Sequence, residues 1–413
     1  MQETSRYAVG IDIGTTMVRC VVGHIDATTG APTIVGVGQA ANSGMRKGMV
    51  ANLTGPAQAI DNALGEAERM SGYQVDAASI SVNGSHILST KADGMIAVGA
   101  MDHEIVEEDL ARIEEVATIG KVPANREILE VVPHSYRLDG QDNIKDPLGM
   151  TGTRLEINAN VVSVLAPHLS NLQKASEMAK VTPHAITPAV LAASRSVLSE
   201  QQLENGVAVI DLGGATTSVA VFEEGDLQYV AVIPFGGVTI TNDLAIGLKT
   251  DPEIAEKVKL AHAVAAPRSD VQDISIKHEK ELHRFNTGDI DEIVEARLDE
   301  IFEAIQKELK KAGRAGQLPS GVVLTGGTAK LKGITDYTKE KLGLAARVGK
   351  PSGYGGVAEN IDEPQFATAI GLMLIDTQGG RTAHSSQKVT GGSKAAIKNA
   401  TGVVSRFLGR FKA

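Results

Sequence analysis

Two short stretches of this chain carry residue types suited to phosphate and metal chemistry, and they look like copies of one another. The later one, Val207 to Phe222 (VAVIDLGGATTSVAVF), runs through apolar residues to Asp211, then a glycine pair (Gly213, Gly214), a threonine pair (Thr216, Thr217) and a second apolar run. The earlier one, Val9 to Gly23 (VGIDIGTTMVRCVVG), has Asp12, Gly14, Thr15 and Thr16 in comparable places. Each reads as a hairpin with a tip of small residues. Its glycines permit positive φ and let main-chain N–H groups approach an anion closely, and its threonines add hydroxyl donors. A carboxylate at the end of a buried strand is costly unless a cation faces it, and a hydrated Mg²⁺ suits that place. One such hairpin alone is equally a plain tight turn. Two of them about 200 residues apart, with a third glycine motif at Gly321 to Gly333 (GVVLTGGTAKLKG), are expected to grip a nucleotide's phosphates from both sides.

The rest of the chain must position these hairpins. At 413 residues it is too long for one core and implies about two to four subdomains. With no Trp, 3% aromatic residues and a net charge of −10, a nucleic-acid surface is not expected. The one cysteine, Cys20, lies in an apolar run and reads as a small core residue of a reducing compartment, without disulfides or a metal cluster. Met1 to Tyr7 lacks the pattern of a signal peptide, and no run reaches the ~20 apolar residues that span a bilayer.

Strands are expected at Tyr7–Ile13, Val18–Ile25 and Thr33–Ala40, a helix at Leu53–Ser71 stopped by Gly72, and a strand at Ala77–Val82. From Asn83 the pattern changes. A hairpin-like pair (Ile87–Ser89, Met95–Val98), an acidic helix (Asp102–Ile119) and strands at Glu127–Val132, Tyr136–Leu138 and Leu155–Leu165 read as an inserted subdomain. A helix at Pro167–Lys180 and the segment Ile186–Leu198 return the chain to the second hairpin. Beyond it come a strand at Gln228–Pro234, a helix at Thr239–Leu248 capped by Thr239 or Thr241, a second inserted block ending in the helix Ile290–Lys311, and a last packed helix at Ala367–Ile375.

Three motifs in this order, D-x-G-T-T, D-x-G-G-x-T-T and LTGGTAKLKG (324–333), resemble the nucleotide signature of the superfamily of actin, heat-shock chaperone ATPases and sugar kinases. VNGSHI (82–87), IKDPLGMTGTRLE (144–156) and IPFGGVTITNDLAIGLKT resemble the FtsA family, bacterial division proteins that join FtsZ filaments to the membrane, and the chain is identified as a member of it. The resemblance implies an α/β fold of two actin-like (RNase H-like) halves around a nucleotide cleft, with the FtsA-type insert. It divides the chain into a subdomain of residues 1–82, 166–205 and 356–375, an insert at 83–165, a subdomain of 206–240 and 318–355, and a block at 241–317. It implies ATP and Mg²⁺ as cofactors. Asp12 and Asp211 would hold the hydrated metal, Gly14, Thr15, Thr16, Gly213, Gly214 and Thr216 would wrap the phosphates, Glu256 and Lys259 would meet the ribose, and Gly326, Gly327 and Thr328 would border the adenine and α-phosphate. By sequence alone a solvated helix face is the favoured reading of Glu256 and Lys259. Met17 stands where the family commonly has lysine, Ala215 where it has a third glycine, and Pro188 where actin has the glutamine that orients the attacking water. Proline can neither donate nor accept there, so ATP binding with weak or no hydrolysis is expected.

The resemblance further implies self-assembly into filaments, other division proteins as partners, and docking of the FtsZ C-terminal peptide on the 241–317 block, with Arg297 as a candidate contact. Glu300, three residues on, is an alternative partner for Arg297. Residues 376–398 read as a disordered linker and 399–413 as an amphipathic helix. In a helix Val403, Val404, Phe407, Leu408 and Phe411 share one arc of about 140°, with Arg406, Arg410 and Lys412 around them. From Asp376 onward the charge is +6, against −16 for the remainder, so an anionic lipid surface is the expected partner and the cytoplasmic face of the membrane at the division site the expected location. A helix docked on the protein's own core is the alternative. A pilus-assembly relative and a small-molecule kinase of the same superfamily are the other functions this scaffold allows.

Overall fold

The computed structural model describes residues 6–99, 103–266, 268–356 and 361–379. The linker and amphipathic helix expected at 376–413 lie outside these residues from 380 onward, and so do all of the residues expected to face a membrane.

The first half is a five-stranded sheet built from β1 (Arg6–Ile13), β2 (Met17–Ile25) and β3 (Pro32–Ala41), all antiparallel, then a short pair, β4 (Met45–Arg46) and β5 (Met49–Val50), helix α1 (Thr54–Ser71) and strand β6 (Ala77–Val82). Strand β6 lies parallel to β1, pairing Ile80 with Ile11. Both faces are covered, which is why Val9, Ile11, Ile13, Val18, Cys20 and Val22 form near-continuous apolar runs. Helix α1 buries Ile60, Ala63, Leu64 and Ala67 and ends at Gly72, which is left-handed (φ 68°) and donates to Glu68 O.

The insert is β7 (Leu88–Ala97), α2 (Glu107–Thr118), β8 (Arg126–Leu138), β9 (Gln141–Ile144) and β10 (Arg154–Leu165), a four-stranded sheet in the order β7-β10-β8-β9. Two expectations are corrected here. Residues 87–98 are not a hairpin: β7 is one strand that pairs along its whole length with β10, and the apparent break at Thr90–Gly94 is alternation of faces. Likewise β8 does not break at Pro133. Pro133 keeps its place opposite Ala159, and a bulge at the next residue, His134, skipped between the pairs Ala159–Pro133 and Asn158–Ser135, carries the strand on. One face carries α2, with Ile113 and Ala117 against Ile96, Leu155 and Ile157, and the other sends Val132, Val162 and Val164 into the core of the first half.

Helix α3 (Ala166–Met178) and β11 (Thr182–Pro188) complete the first sheet, in the order β11-β6-β1-β2-β3, and α4 (Ala189–Val197) and α5 (Glu200–Asn205) lead on. The second half then repeats the plan. Strands β12 (Val207–Leu212), β13 (Thr217–Glu223) and β14 (Asp226–Ile233) form an antiparallel meander, followed by α6 (Gly237–Gly247), α7 (Pro252–His262), the hairpin of β15 (Asp273–His278) with β16 (Glu281–Asn286), and α8 (Thr287–Lys311). Strand β17 (Val322–Thr325) lies parallel to β12, a 3-10 turn at Gly327–Lys330 and α9 (Ile334–Leu342) follow, and β18 (Ala346–Val348) closes the sheet in the order β14-β13-β12-β17-β18. Helix α6 starts two residues before the expected position. Its N-cap is Gly236, and Thr239 and Thr241 turn their hydroxyls back onto the Gly236 and Gly237 carbonyls instead of capping. The insert ties to this half at β14, where buried Asn160 donates to Leu227 O (2.9 Å) and Gln228 O (2.6 Å).

The last helix, α10 (Ala367–Gly379), packs Ala369, Ile370 and Met373 against the first sheet and runs past the expected end at Ile375. Asp376, expected to begin the linker, is 3% exposed. It accepts from Val9 N (2.7 Å) and Ser79 Oγ (2.8 Å) and pairs with His184, which pins α10 to three strands. An isolated aspartate near a chain end gives no sign of such partners. Asp376→Ala leaves the buried Val9 N–H without an acceptor, so it is expected to destabilise the protein by about 3 kcal/mol. Denaturant unfolding at constant m-value measures this, and a loss below about 1 kcal/mol would contradict the clamp.

Candidate nucleotide and metal site

The two hairpins close in the same way. Gly14 N donates to Met17 O (3.1 Å), and Gly213 N donates to Thr216 O (2.9 Å). In β1–β2 Asp12 lies opposite Arg19, and in β12–β13 Asp211 lies opposite Ser218, each one pair before the turn. The glycines are needed for space rather than for the positive φ expected of Gly213 and Gly214, which are not left-handed. A Cβ at Gly14 would sit 2.7 Å from Met17 O, and one at Gly213 would sit 2.8 Å from Thr216 O. The tips of the two halves meet, because a Cβ at Gly214 would lie 2.6 Å from Thr16 Oγ1.

The third motif arrives on β17, whose Thr325 pairs with Asp211. Gly326 is left-handed (φ +84°), and a Cβ there would lie 2.3 Å from Asp211 Oδ1. Thr328 Oγ1 donates to Gly213 O (3.1 Å), while nothing lies within 4 Å of the place a Gly327 Cβ would take. Lys259 Nζ reaches Gly237 O (3.1 Å), Thr241 Oγ1 (2.8 Å) and Glu256 Oε2 (2.7 Å). The pair therefore bridges α7 to the start of α6, next to the glycines, and Lys259 is not part of a solvated face. Thr15 Oγ1 accepts from Gly48 N (2.9 Å). The residues taken from the three motifs are thus gathered at one place between the halves.

Electrostatics make that place unusual. Burial holds the Asp12 carboxyl above its ordinary range, against the opposing pull of Arg19 and of Ser81, whose hydroxyl it accepts (2.9 Å). Burial and then the charge of Asp12 push Asp211 up to about 7. Both acids are short of positive charge, and a cation between them would relieve it. Arg19 is the residue the sequence reading missed. Its guanidinium acts on Asp12, Asp211 and Glu363, lies 5.6 Å from the centre of the Phe366 ring, and leaves Nε buried without a partner among the described residues. Thr325 Oγ1, beside Asp211, likewise has no partner among the described residues. An arginine in the apolar run MVRCVV was the available signal, but its meaning depends on the register that sets it opposite Asp12. Two under-compensated acids, an arginine with a spare donor and a floor that excludes side chains fit a Mg²⁺-bound polyphosphate. An open groove of about 660 Å³ beside α1, lined by Asp61, Glu66 and Glu68, lies away from these residues.

Arg297, on α8, donates to Asp243 Oδ1 (3.0 Å) and Glu300 Oε2 (2.6 Å). Glu300 is the partner the helical spacing offered; Asp243, on α6, is visible only in the fold. Pro188 ends β11 level with Val82 and brings no polar side chain to the cleft.

The family profile described as "Cell division protein FtsA" matches residues 208–371, and that of the "SHS2 domain inserted in FTSA" matches residues 84–163. The chain is 33% identical to the cell division protein FtsA of Pseudomonas aeruginosa, over 91% of this chain and 90% of that one. It is 34% identical to FtsA of Bacillus subtilis, over 90% and 84%. The chain belongs to the FtsA family. Its actin-like fold also appears in solved structures. A PilM-PilN type IV pilus biogenesis complex matches at TM-score 0.66 and 18% identity, covering 90% of this chain and 98% of that one. MreB 5 of Spiroplasma citri bound to AMPPNP matches at 0.52 and 13%, covering 90% and 96%. As a member of this family the chain is a cell-division protein, and its insert matches the SHS2 domain.

Proposed function

We propose that this FtsA binds Mg-ATP between its halves, assembles with copies of itself, and holds FtsZ filaments to the cytoplasmic membrane through its C-terminal segment. The observation that carries the nucleotide part is the buried pair Asp12 and Asp211, set beside Arg19 in two hairpins closed by the same hydrogen bond. The likeness to a structure bound to AMPPNP agrees with it. Bound Mg-ATP would supply the positive charge the two acids lack and an anion that both glycine tips can hold. Hairpin N–H groups, Thr15, Thr16 and Thr216 hydroxyls and Arg19 would bind phosphate, and Gly326, Gly327 and Thr328, with Glu256 and Lys259, would hold the nucleoside. Pro188 supplies no group to orient water, so slow or negligible hydrolysis follows.

Membrane attachment rests on the sequence of 399–413. Five apolar side chains partly buried give on the order of 5 kcal/mol, and each nearby cation adds about 1 against anionic lipid. Ordering the helix takes back several, so one tail is a weak anchor and many on one polymer a strong one. Among the described residues no helix is long and apolar enough to cross a membrane. An acidic FtsZ peptide that used Arg297 would have to compete with Asp243 and Glu300.

The test is co-pelleting with anionic vesicles, with and without ATP and the FtsZ C-terminal peptide. Phe407→Glu, or truncation at Lys398, is expected to cut vesicle binding more than about tenfold and leave ATP affinity unchanged. Truncated protein that still pellets with vesicles would remove the tail from this function.

A further inference from the structure

Asn83 closes β6 and opens the insert, yet its side chain reaches the other half. Gly84 N donates to Asn83 Oδ1 (2.8 Å), and so does Ser218 Oγ (3.2 Å). Those two donors fix which end of the amide is oxygen, so Nδ2 faces Thr216 Oγ1 and donates to it at 3.1 Å. A hydroxyl that accepts has one proton left to give. Thr216 is 4% exposed, and no described residue takes that proton in a hydrogen bond. We propose that Asn83 is a positioning residue for the nucleotide: it holds the Thr216 hydroxyl in the rotamer that donates to phosphate, and so ties phosphate occupancy to the stem of the insert. This rests on the nucleotide reading above.

The stem is built to feel that contact. Gly84 is held at φ +125°, where a Cβ would strike the His86 ring at 2.8 Å, and its carbonyl accepts Ile87 N (3.0 Å). His86 O accepts from Arg126, whose guanidinium also donates to Ser163 Oγ (3.0 Å) and Ser163 O (2.8 Å). Arg126 therefore fastens both ends of the insert, and Asn83 fastens one of those ends to the phosphate hairpin.

The experiment measures Mg-ATP affinity by calorimetry, and hydrogen exchange of residues 84–88 with and without Mg-ATP, in wild type, Asn83→Ala, Asn83→Asp, Thr216→Ala and the double variant Asn83→Ala with Thr216→Ala. Aspartate has no donor and takes the Thr216 proton itself, so Asn83→Asp should weaken Mg-ATP about tenfold or more, and beyond Asn83→Ala. The alanine effects should be non-additive, because with Thr216 gone Asn83 has nothing to orient. Mg-ATP should slow exchange at 84–88 in wild type and not in Asn83→Asp. A Thr216→Ala background in which Asn83→Ala still costs its full effect overturns the inference, as does unchanged Asn83→Asp affinity in a protein whose melting temperature is that of wild type. Wild type that binds no Mg-ATP overturns the nucleotide reading and this inference together; wild type that binds, with additive variants, overturns this inference alone.

Discussion

Asp211→Asn should weaken Mg-ATP binding by roughly 30- to 100-fold at pH 8, the scale of losing a charged partner in a buried site. Asparagine keeps the shape of the side chain, so Gly326 and the β12–β17 pairing are undisturbed. The nucleotide-free variant should not be less stable. Burial and the charge of Asp12 raise the Asp211 carboxyl to about 7, so its ionised form opposes folding at pH 8, and asparagine removes that opposition. Tighter folding with weaker binding is a combination that a merely structural aspartate would not give. The pH dependence follows with the same sign. Metal needs the carboxylate, and below pH 7 a proton occupies it, so wild-type affinity should fall by up to about tenfold per pH unit from 7 downward. Asp211→Asn should lose that slope. Titration of a fluorescent ATP analogue with Mg²⁺ at pH 6 and pH 8 measures both, and a variant that binds like wild type at both pH values would refute the metal role.

Glu130 should make the protein lose stability as pH rises, an effect that Glu130→Gln abolishes. It sits on β8 opposite Val162, 3% exposed, facing the apolar junction of insert and first half, with Oε1 unpartnered among the described residues. Burial alone raises it from 4.5 to about 8. Because the folded value is the higher one, its contribution is fully present below pH 4.5 and is lost as pH rises to about 8. At about 1.4 kcal/mol per pH unit, that loss amounts to several kcal/mol, up to about 5. Denaturant unfolding at pH 5 and pH 8, which spans most of that range, should show wild type weakening relative to Glu130→Gln by about 3 to 4 kcal/mol. Parallel pH profiles for the two proteins would mean that Glu130 is paired or solvated after all.

Much of the architecture was legible because it is local. Alternation and apolar runs located β1, β2, β3, β6 and β10, the stripe from Ile290 to Leu309 located α8, and Gly72 marked the end of α1. The repeated D-x-G pattern located two hairpins whose turns are each closed by the equivalent hydrogen bond, Gly14 N to Met17 O and Gly213 N to Thr216 O. Errors fell where a local signal had a non-local answer. Pro133 looks like a strand end because it cannot donate, but it still pairs with Ala159, and a bulge at the adjacent His134 keeps β8 whole. Thr239 has the chemistry of a cap, but Gly236 already holds that place because Gly213 O and Gly214 O take the first N–H groups of α6.

Sequence by itself determined the two acidic glycine hairpins, the insert beginning at Asn83, the α/β class and the amphipathic character of 399–413, since each is a matter of residue type and spacing along the chain. Only the tertiary structure decided that Arg19 serves Asp12 and Asp211 together, that Asn83 reaches Thr216, and that Asp376 anchors the last helix. The physical reason is distance along the chain. A charge or an amide has a fixed appetite for partners, but partners 133 or 367 residues away are chosen by strand register and by the meeting of the two halves.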